Sequence, residues 1–238
     1  MITVSAVGYA HDSLHDQALV LAEQLHFDLD KDANPCLFLS EEGLALKMHR
    51  FSLLSPDFHA AHWMKRRQEG KKQGLVRACK PAPGLKIIDA TAGWGRDAAV
   101  LASFGAEVLM LERHPVMAAL LADALSRQED HDKQQLQLSL QACDTMAFLK
   151  QLPGAEYPDI IYIDPMHPER SKSALVKKDM QALQQMIGAD EDALKLIETA
   201  ITRVKQRVVV KWPQKIKPLL PANVSIEGKT VRFDIYTP

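Results

Sequence analysis

The stretch LKIIDATAGWGRDAAVLAS, residues 85–103, decides the fold of this chain. It begins with an apolar run typical of a buried strand, turns at Gly93 and Gly95, and continues as a run typical of a helix. Glycine has no Cβ, so these two residues let the backbone turn sharply and approach a ligand closely. The following helix would present free N–H groups to that ligand. The stretch therefore predicts a ligand-binding strand–turn–helix unit.

The same alternation continues along the chain. Strand-like runs lie at 86–90, 107–111, 136–140, 160–163 and 207–211, with helical stretches between them at 96–104, 115–128, 144–151 and 189–204. Strands that alternate with helices of this length form βαβ units and a parallel sheet. Residues 224–227 and 230–236 are strand-like with only Gly228-Lys229 between them, which predicts a hairpin at the sheet edge. We expect an α/β, Rossmann-like fold: a mostly parallel seven-stranded sheet with an antiparallel C-terminal hairpin.

The first 80 residues show a different pattern. A strand is expected over 2–7, a helix over 17–25, a hairpin formed by 36–40 and 44–49, and a helix over 56–67. Two prolines and a glycine within 80–84 break any regular element and indicate a linker. We therefore expect a small N-terminal α+β subdomain with a basic helix over 1–80 and a larger ligand-binding domain over 81–238.

Composition excludes several classes of protein. The 238 residues are 47% hydrophobic with a net charge of −1, which is typical of a globular chain. No apolar run approaches the ~18 residues of a membrane span, and the N-terminus lacks the pattern of a signal peptide. Three widely spaced cysteines fit reduced thiols in the cytoplasm. The histidine pairs lack further nearby ligands, so we expect no bound metal. Because no apolar run is long enough to span a membrane, we expect no membrane partner either.

Charged side chains surround the glycine turn. Asp89 precedes it, Arg96 and Asp97 follow it, and Glu112 ends the next strand, where a carboxylate can accept hydrogen bonds from both hydroxyls of a ribose. Asp144 follows the third strand, where it can accept a hydrogen bond from an adenine amino group, cap the next helix, or do both. These positions predict a nucleoside-binding site.

Three interpretations of the turn stay open on these residues: a nucleoside methyl donor, a dinucleotide, or a purely structural turn. The spacing Gly93-x-Gly95-x-x-Ala98 also fits the dinucleotide fingerprint. Carboxylates would repel a pyrophosphate, whereas the ammonium, sulfonium and carboxylate of S-adenosylmethionine suit a site of mixed charge. The charges therefore favour the methyl donor.

The most informative segment is PDIIYIDPMHPERSKSALVKKDMQ, residues 158–181. Its strand ends at Asp164, at the carboxyl edge of the sheet, where ligands bind in open α/β folds. The two prolines that follow would hold the neighbouring carbonyls in one orientation. An aspartate and a carbonyl that accept both N–H groups of a planar amine would aim its nitrogen at a methyl group. We predict catalytic roles for Asp164, Pro165 and His167, with a rigid proline loop as the alternative.

Four stretches carry a resemblance to a known family: residues 89–115, 162–181, VVVKWP at 208–213 and RFDIY at 232–236. Together they resemble the RsmJ family of small-subunit ribosomal RNA guanine-N2 methyltransferases over about residues 60–238. The resemblance implies a class I methyltransferase that uses S-adenosylmethionine to methylate N2 of one guanosine in 16S ribosomal RNA or the 30S subunit. It also implies a cytoplasmic enzyme.

The resemblance further implies which residues contact the methyl donor. By position, the family's contacts fall on Arg96, Asp97, Glu112, Arg113, Cys143, Asp144 and Asp164, which adds to the Asp89 and Gly93 of the turn. Two positions depart from related sequences. Cys143-Asp144 stands where a relative has two serines, and Met166 replaces a proline of the Asn/Asp-Pro-Pro-aromatic motif of amino-methyltransferases.

Basic residues cluster on both sides of the predicted catalytic segment. One cluster lies within 62–80, and the second includes Lys172, Lys177 and Lys178. Such clusters neutralise phosphates without reading sequence, although a charge run is often only a solvated face. We predict RNA contacts at Arg66, Arg67, Lys172, Lys177 and Lys178.

Hypotheses from two other classes remain beside the methyltransferase. The first is an NAD-dependent oxidoreductase on the same turn, because the glycine spacing permits a dinucleotide. The second is a catalytically silent RNA-binding module that keeps the fold.

Overall fold

The computed structural model describes residues 2–49, 51–166, 178–188 and 190–238. The strands in these ranges are β1 Ala6–Tyr9, β2 Asp28–Leu29, β3 Cys36–Ser40, β4 Gly43–Lys47, β5 Lys86–Asp89, β6 Glu107–Glu112, β7 Leu138–Ala142, β8 Ile160–Ile163, β9 Arg207–Pro213, β10 Val224–Glu227 and β11 Val231–Tyr236. The α-helices are α1 His15–Leu25, α2 Ala60–Glu69, α3 Gly74–Cys79, α4 Arg96–Ala102, α5 Pro115–Ser126, α6 Asp130–Gln135, α7 Thr145–Gln151, α8 Lys178–Ile187 and α9 Ala193–Ile201.

One compact unit comprises Phe58–Arg113, Gln128–Pro165 and Asp190–Pro238, and it contains a seven-stranded sheet. The strand order is β10-β11-β9-β8-β5-β6-β7. The five strands from β9 to β7 pair in parallel, whereas β11 is antiparallel to both of its neighbours. Among these seven strands β11 is thus the reversed one, and β10 runs in the same direction as the parallel five. The predicted mostly parallel sheet with a C-terminal hairpin at its edge is confirmed.

The central strands are apolar because they are covered on both faces. All four residues of β8 are buried, and so are Val208, Val209 and Val210 of β9. Alternate residues of these strands pack against Leu196, Ile197 and Ala200 of α9 in one apolar cluster. Strands buried on both faces lose the alternation of polar and apolar residues, and the continuous runs in the sequence reflect that burial.

The second compact unit comprises Met1–Asp57, His114–Arg127 and Met166–Ala189. Its sheet has the order β2-β1-β3-β4, in which β1 pairs in parallel with β2 and β3. The predicted hairpin is confirmed, because β3 and β4 pair antiparallel from Cys36 opposite Lys47 to Ser40 opposite Gly43. Asp123 of α5 holds the turn of this hairpin, because the Leu44 N–H donates a hydrogen bond to Asp123 Oδ2 at 3.0 Å.

Some elements differ from the sequence-based expectations. The helix expected over 56–67 begins at Ala60, because the residue before it, His59, has an extended backbone with φ −63° and ψ 147°. Helices α3, α6 and α8 were not predicted. Helices α2 and α3 belong to the compact unit that contains the seven-stranded sheet. The domain boundary at residue 80 stays a prediction, because compactness does not test independent folding.

Candidate active site

The glycine turn connects β5 to α4 and is fastened by Glu112 at the end of β6. Gly93 and Gly95 have φ angles of 53° and 70°, in the left-handed region that favours glycine. The Gly93 N–H donates to Glu112 Oε2 at 2.9 Å. A carboxylate that follows one strand therefore fixes the turn that follows its neighbour. The predicted proximity of Glu112 to the turn is present in the structure.

Asp97, in the first turn of α4, accepts hydrogen bonds on both carboxylate oxygens. Arg66 Nη2 lies 2.8 Å from Oδ1, while the Tyr162 hydroxyl lies 2.6 Å and Lys211 Nζ 3.3 Å from Oδ2. Burial alone would raise the pKa of Asp97, but the two cations and the hydroxyl hold that pKa below its usual range. Asp97 is thus a carboxylate at neutral pH and joins α2, α4, β8 and β9.

Asp164 follows β8 and is held from two directions. Its N–H donates to Thr91 Oγ1 at 2.7 Å, and its Oδ2 accepts a hydrogen bond from Lys211 Nζ at 2.5 Å. Burial raises the pKa of Asp164, and the ammonium of Lys211 opposes that rise. The hydrogen bond to Thr91 ties the segment after β8 to the turn after β5. The predicted catalytic carboxylate therefore lies beside the predicted cofactor turn.

Asp89 lies at the end of β5 and is almost completely buried. Its Oδ1 accepts a hydrogen bond from the Thr91 N–H at 3.2 Å. Burial raises the pKa of Asp89 to about 8, the Thr91 N–H opposes the rise, and Asp97, Asp164 and Glu112 add to it. Four carboxyl groups therefore influence one another at the carboxyl edge of the sheet.

The acidic groups of the site distinguish between the two candidate ligands, S-adenosylmethionine and a dinucleotide. Arg66 pairs with Asp97 and Lys211 pairs with Asp164. Asp89, whose pKa is raised to about 8, becomes charged more readily beside a cation, so the site favours a ligand that brings positive charge. The ammonium and sulfonium of S-adenosylmethionine meet that requirement, whereas the pyrophosphate of a dinucleotide would be repelled. Among the described residues, no group of three or more metal-ligating side chains occurs.

The residues that flank the site have local partners. Asp144 caps α7, because its Oδ1 accepts a hydrogen bond from the Ala147 N–H at 2.8 Å; a helix cap was one of its two predicted roles. The Cys143 N–H donates to the Glu112 carbonyl at 3.0 Å. Arg113 forms ion pairs with Asp192, at 2.8 Å, and with Asp190. Its role in cofactor binding stays a prediction.

The remaining predicted residues divide into three groups. Arg67 and Arg96 are exposed, and Pro165 is buried directly after Asp164. Arg66 was expected to contact RNA, but its guanidinium is half-buried, bonds to Asp97 and donates to the Arg96 carbonyl at 3.3 Å. His167, Lys172 and Lys177 lie outside the described residues, as does the side chain of Lys178.

Three residues of the site were missed in the sequence: Lys211, Tyr162 and Thr91. The sequence could have indicated Lys211, because it is the one charged residue in the apolar run VVVKWP and a charge in a buried strand needs a partner. Tyr162 lies within the predicted strand, where a tyrosine is an ordinary residue, so the sequence does not indicate the hydrogen bond of its hydroxyl. The role of Thr91 depends on the pairing of β5 with β8, which the sequence does not specify.

The sheet and the site together define a class of protein. A parallel sheet with one reversed strand inserted near its edge, a glycine turn between β5 and α4, and an acidic cluster at the carboxyl edge are the parts of a class I methyltransferase that uses S-adenosylmethionine. Comparisons with known proteins agree. A family model described as "Putative SAM-dependent methyltransferase" matches residues 20–238. The SAM-dependent methyltransferase NGO1261 from Neisseria gonorrhoeae superposes with a TM-score of 0.75 at 26% identity, covering 98% of this chain and 96% of that one.

Relatives of known name extend the comparison to the full length. The ribosomal RNA small subunit methyltransferase J of Legionella pneumophila strain Paris is 64% identical over 238 residues, or 100% of this chain and 98% of the relative. The protein of that name from Dechloromonas aromatica is 42% identical, over 92% of this chain and 94% of the relative. The chain therefore belongs to the family of ribosomal RNA small subunit methyltransferases J, and the resemblance found in the sequence is confirmed.

Proposed function

We propose that this enzyme transfers the methyl group of S-adenosylmethionine to N2 of a guanosine in small-subunit ribosomal RNA. The observation that carries the proposal is the position of Asp164, which is tied by Thr91 to the cofactor turn and followed by Pro165. The relatives' name supports the small-subunit RNA as substrate, and the RsmJ resemblance supports guanine N2.

Several residues would hold the methyl donor. Glu112, at the end of β6, would accept hydrogen bonds from the ribose hydroxyls. The acidic groups Asp89 and Asp97 would favour the binding of the positively charged part of the donor. The set proposed from the resemblance is completed by Arg96, Arg113, Cys143, Asp144 and Asp164, and the backbone of Gly93 adds to it. When bound, S-adenosylmethionine supplies an electrophilic methyl group on a sulfonium.

The chain's own contribution is to orient the amine and receive its proton. The N2 lone pair of guanine is delocalised into the ring, so the nitrogen is a weak nucleophile. Asp164 would accept a hydrogen bond from one N–H of the amine and thereby orient the lone pair of N2 toward the methyl carbon. As the new C–N bond forms and the bond from the methyl carbon to sulfur breaks, positive charge develops on N2 and S-adenosylhomocysteine is released as a neutral thioether. One proton passes from N2 to the Asp164 carboxylate. His167 and the Pro165 carbonyl are proposed to hold the base.

The test is substitution of Asp164 by Asn and by Ala. We expect methyl transfer to undermethylated small subunits to fall by about 100-fold or more, the range expected for loss of a general base. Binding of S-adenosylhomocysteine, measured by calorimetry, should weaken less than turnover, because Asp164 is only one of several proposed cofactor contacts. The product is identified as N2-methylguanosine by mass spectrometry of RNA digests.

The control is Glu156→Gln, which removes a carboxylate on the exposed 3-10 turn before β8. It should retain wild-type turnover. Full activity of Asp164→Asn would refute the role of Asp164, and a product methylated at another atom would refute guanine N2. Tight binding of NAD in place of S-adenosylhomocysteine would contradict the proposed cofactor.

A further inference from the structure

Lys211 is the charged residue in the interior of β9, whose first residue is Arg207, and two carboxylates from two other elements meet at its ammonium. Asp97 Oδ2 from α4 lies 3.3 Å away, and Asp164 Oδ2 from the end of β8 lies 2.5 Å away. We propose that Lys211 is a positioning residue for the methyl acceptor: its ammonium clamps Asp164 to the cofactor turn, so that Asp164 faces the amine as a fixed, charged carboxylate. This inference rests on the proposed function.

The strand register makes the clamp possible. Ile163 of β8 lies opposite Val210 of β9, so the residues that follow them, Asp164 and Lys211, lie side by side at the carboxyl end of β8. The hydrogen bond from the ammonium to Asp164 is to Oδ2. With the backbone held by Thr91 and Oδ2 held by Lys211, the carboxylate has little freedom to rotate, and Oδ1 is the oxygen left for the acceptor amine.

A purely structural role explains this arrangement less well. A partly buried lysine between carboxylates loses hydration, and apolar residues of similar volume often stabilise such positions equally well. Asp97 also has two other donors, Arg66 and Tyr162, so its charge does not depend on Lys211 alone. The partner that depends most on Lys211 is Asp164, the carboxylate proposed to act on the substrate.

The electrostatic effect has a definite sign. The groups that face this cluster are Asp97 from α4, Arg66 from α2 and Tyr162 from β8, and Asp190 and Asp89 act from further away. Lys211 lowers the pKa of Asp164, whereas burial and the acidic neighbours raise it. Removing the ammonium should therefore raise the pKa of Asp164 further, so that its charged form is lost at a higher pH.

The experiment compares Lys211→Met, Lys211→Gln and Lys211→Arg with the wild type. For Lys211→Met we expect kcat to fall about tenfold or more and KM for S-adenosylmethionine to change less than about threefold, because the lost interaction acts in the transition state. The acidic limb of the kcat–pH profile should move to higher pH. Lys211→Arg, which keeps the charge, should recover part of kcat and most of the profile, and Lys211→Gln, which keeps a hydrogen-bond donor, should not.

The matched control is Lys215→Met, which removes an exposed lysine just beyond β9. The proposal is overturned if Lys211→Met and Lys215→Met share the same kcat and the same acidic limb. It is also overturned if kcat falls without movement of the limb. Lys211→Gln carries the same test if Lys211→Met does not fold.

A carbon-13 NMR titration of the Asp164 carboxyl separates this inference from the proposed function, because it needs no RNA. Its midpoint should rise in Lys211→Met and stay near the wild-type value in Lys211→Arg. An unchanged midpoint overturns the clamp even if the enzyme methylates guanine. If the wild type gives no N2-methylguanosine, the proposed function fails while the midpoint still reports on the clamp.

Discussion

At the scale of single residues, the most unusual group is Asp89. It is almost completely buried and accepts one hydrogen bond from the Thr91 N–H, and its pKa rises to about 8 from an ordinary value of 3.8. Between these two pH values the folded protein binds the proton and the unfolded chain does not. The stability of the cofactor-free protein should therefore fall as the pH rises from about 4 to about 8.

Asp89→Asn should remove this loss of stability. The amide keeps the size and the acceptor oxygen of the side chain but stays neutral, so we expect the variant to be more stable than the wild type by about 5 kcal/mol at pH 8, since each unit of pKa shift corresponds to about 1.4 kcal/mol. The difference should shrink as the pH falls toward 4. Denaturant unfolding of the cofactor-free proteins at several pH values measures it.

The comparison variant is Asp130→Asn, at an exposed position in the first turn of α6. It should show no such gain between pH 4 and 8. Equal dependence of stability on pH in Asp89→Asn and the wild type would show that Asp89 is ionised in the folded protein.

Residues that end predicted strands could be placed from the sequence. Asp89, Glu112 and Asp164 were expected at one sheet edge because parallel strands present their carboxyl ends together. Lys211 and Arg66 could not be placed in this way. Their roles depend on Asp97, which lies far away in the chain, and helical spacing does not show whether a basic side chain turns inward.

At the scale of elements, the contact of α3 with β11 leaves no room for an extra atom. A Cβ added at Gly74 would lie 2.4 Å from Cε2 of Phe233. Phe233 is itself buried in the middle of β11. The first residue of α3 is therefore a glycine for reasons of packing.

Gly74→Ala should destabilise the protein by about 1–3 kcal/mol, the usual cost of overpacking a close contact. The midpoint of denaturant unfolding should fall accordingly. Gly154→Ala is the matched control, because a Cβ there meets nothing within 4 Å. Similar stabilities for the two variants would contradict the tight packing of α3 on Phe233.

Elements with strong apolar patterns were predicted almost to the residue, as with β8 over Ile160–Ile163 and β3 over Cys36–Ser40. Such strands are buried, and burial is what the apolar pattern records. Helix α6 has the sequence DHDKQQ and shows almost no apolar pattern. The start of α2 follows the extended backbone of His59, which residue spacing does not specify.

At the scale of the whole molecule, the net charge of −1 conceals an uneven distribution of charge. Basic residues within 65–80 follow one another along α2 and α3, and an exposed set includes Lys65, Arg67, Lys71 and Lys72. Arg66 is different, because it bonds to Asp97 in the site. A test of RNA binding should therefore leave Arg66 intact.

The double reversal Arg67→Glu with Lys71→Glu should weaken binding to small-subunit RNA and leave binding of S-adenosylhomocysteine unchanged. Each lost phosphate contact should reduce the slope of log affinity against log salt concentration by about 0.7–0.9. The slope is obtained from binding titrations at several salt concentrations.

The control for this prediction reverses two exposed lysines elsewhere, Lys133→Glu and Lys150→Glu. These changes alter the net charge by the same amount, so they should reproduce only its general effect. If both double variants lower affinity and slope equally, the basic segment within 65–80 makes no specific contribution.

The position of β11 in the sheet has a consequence for how the protein folds during synthesis. In the sheet β11 lies between β9 and β10, yet it follows both in the sequence. During synthesis one edge of β9 stays open, with the apolar side chains of Val208–Val210 next to unpaired backbone groups, and β10 has no strand to join. Such an open edge can pair with another chain. The ribosome must therefore release Val231–Tyr236 before this part of the nascent enzyme is protected from aggregation.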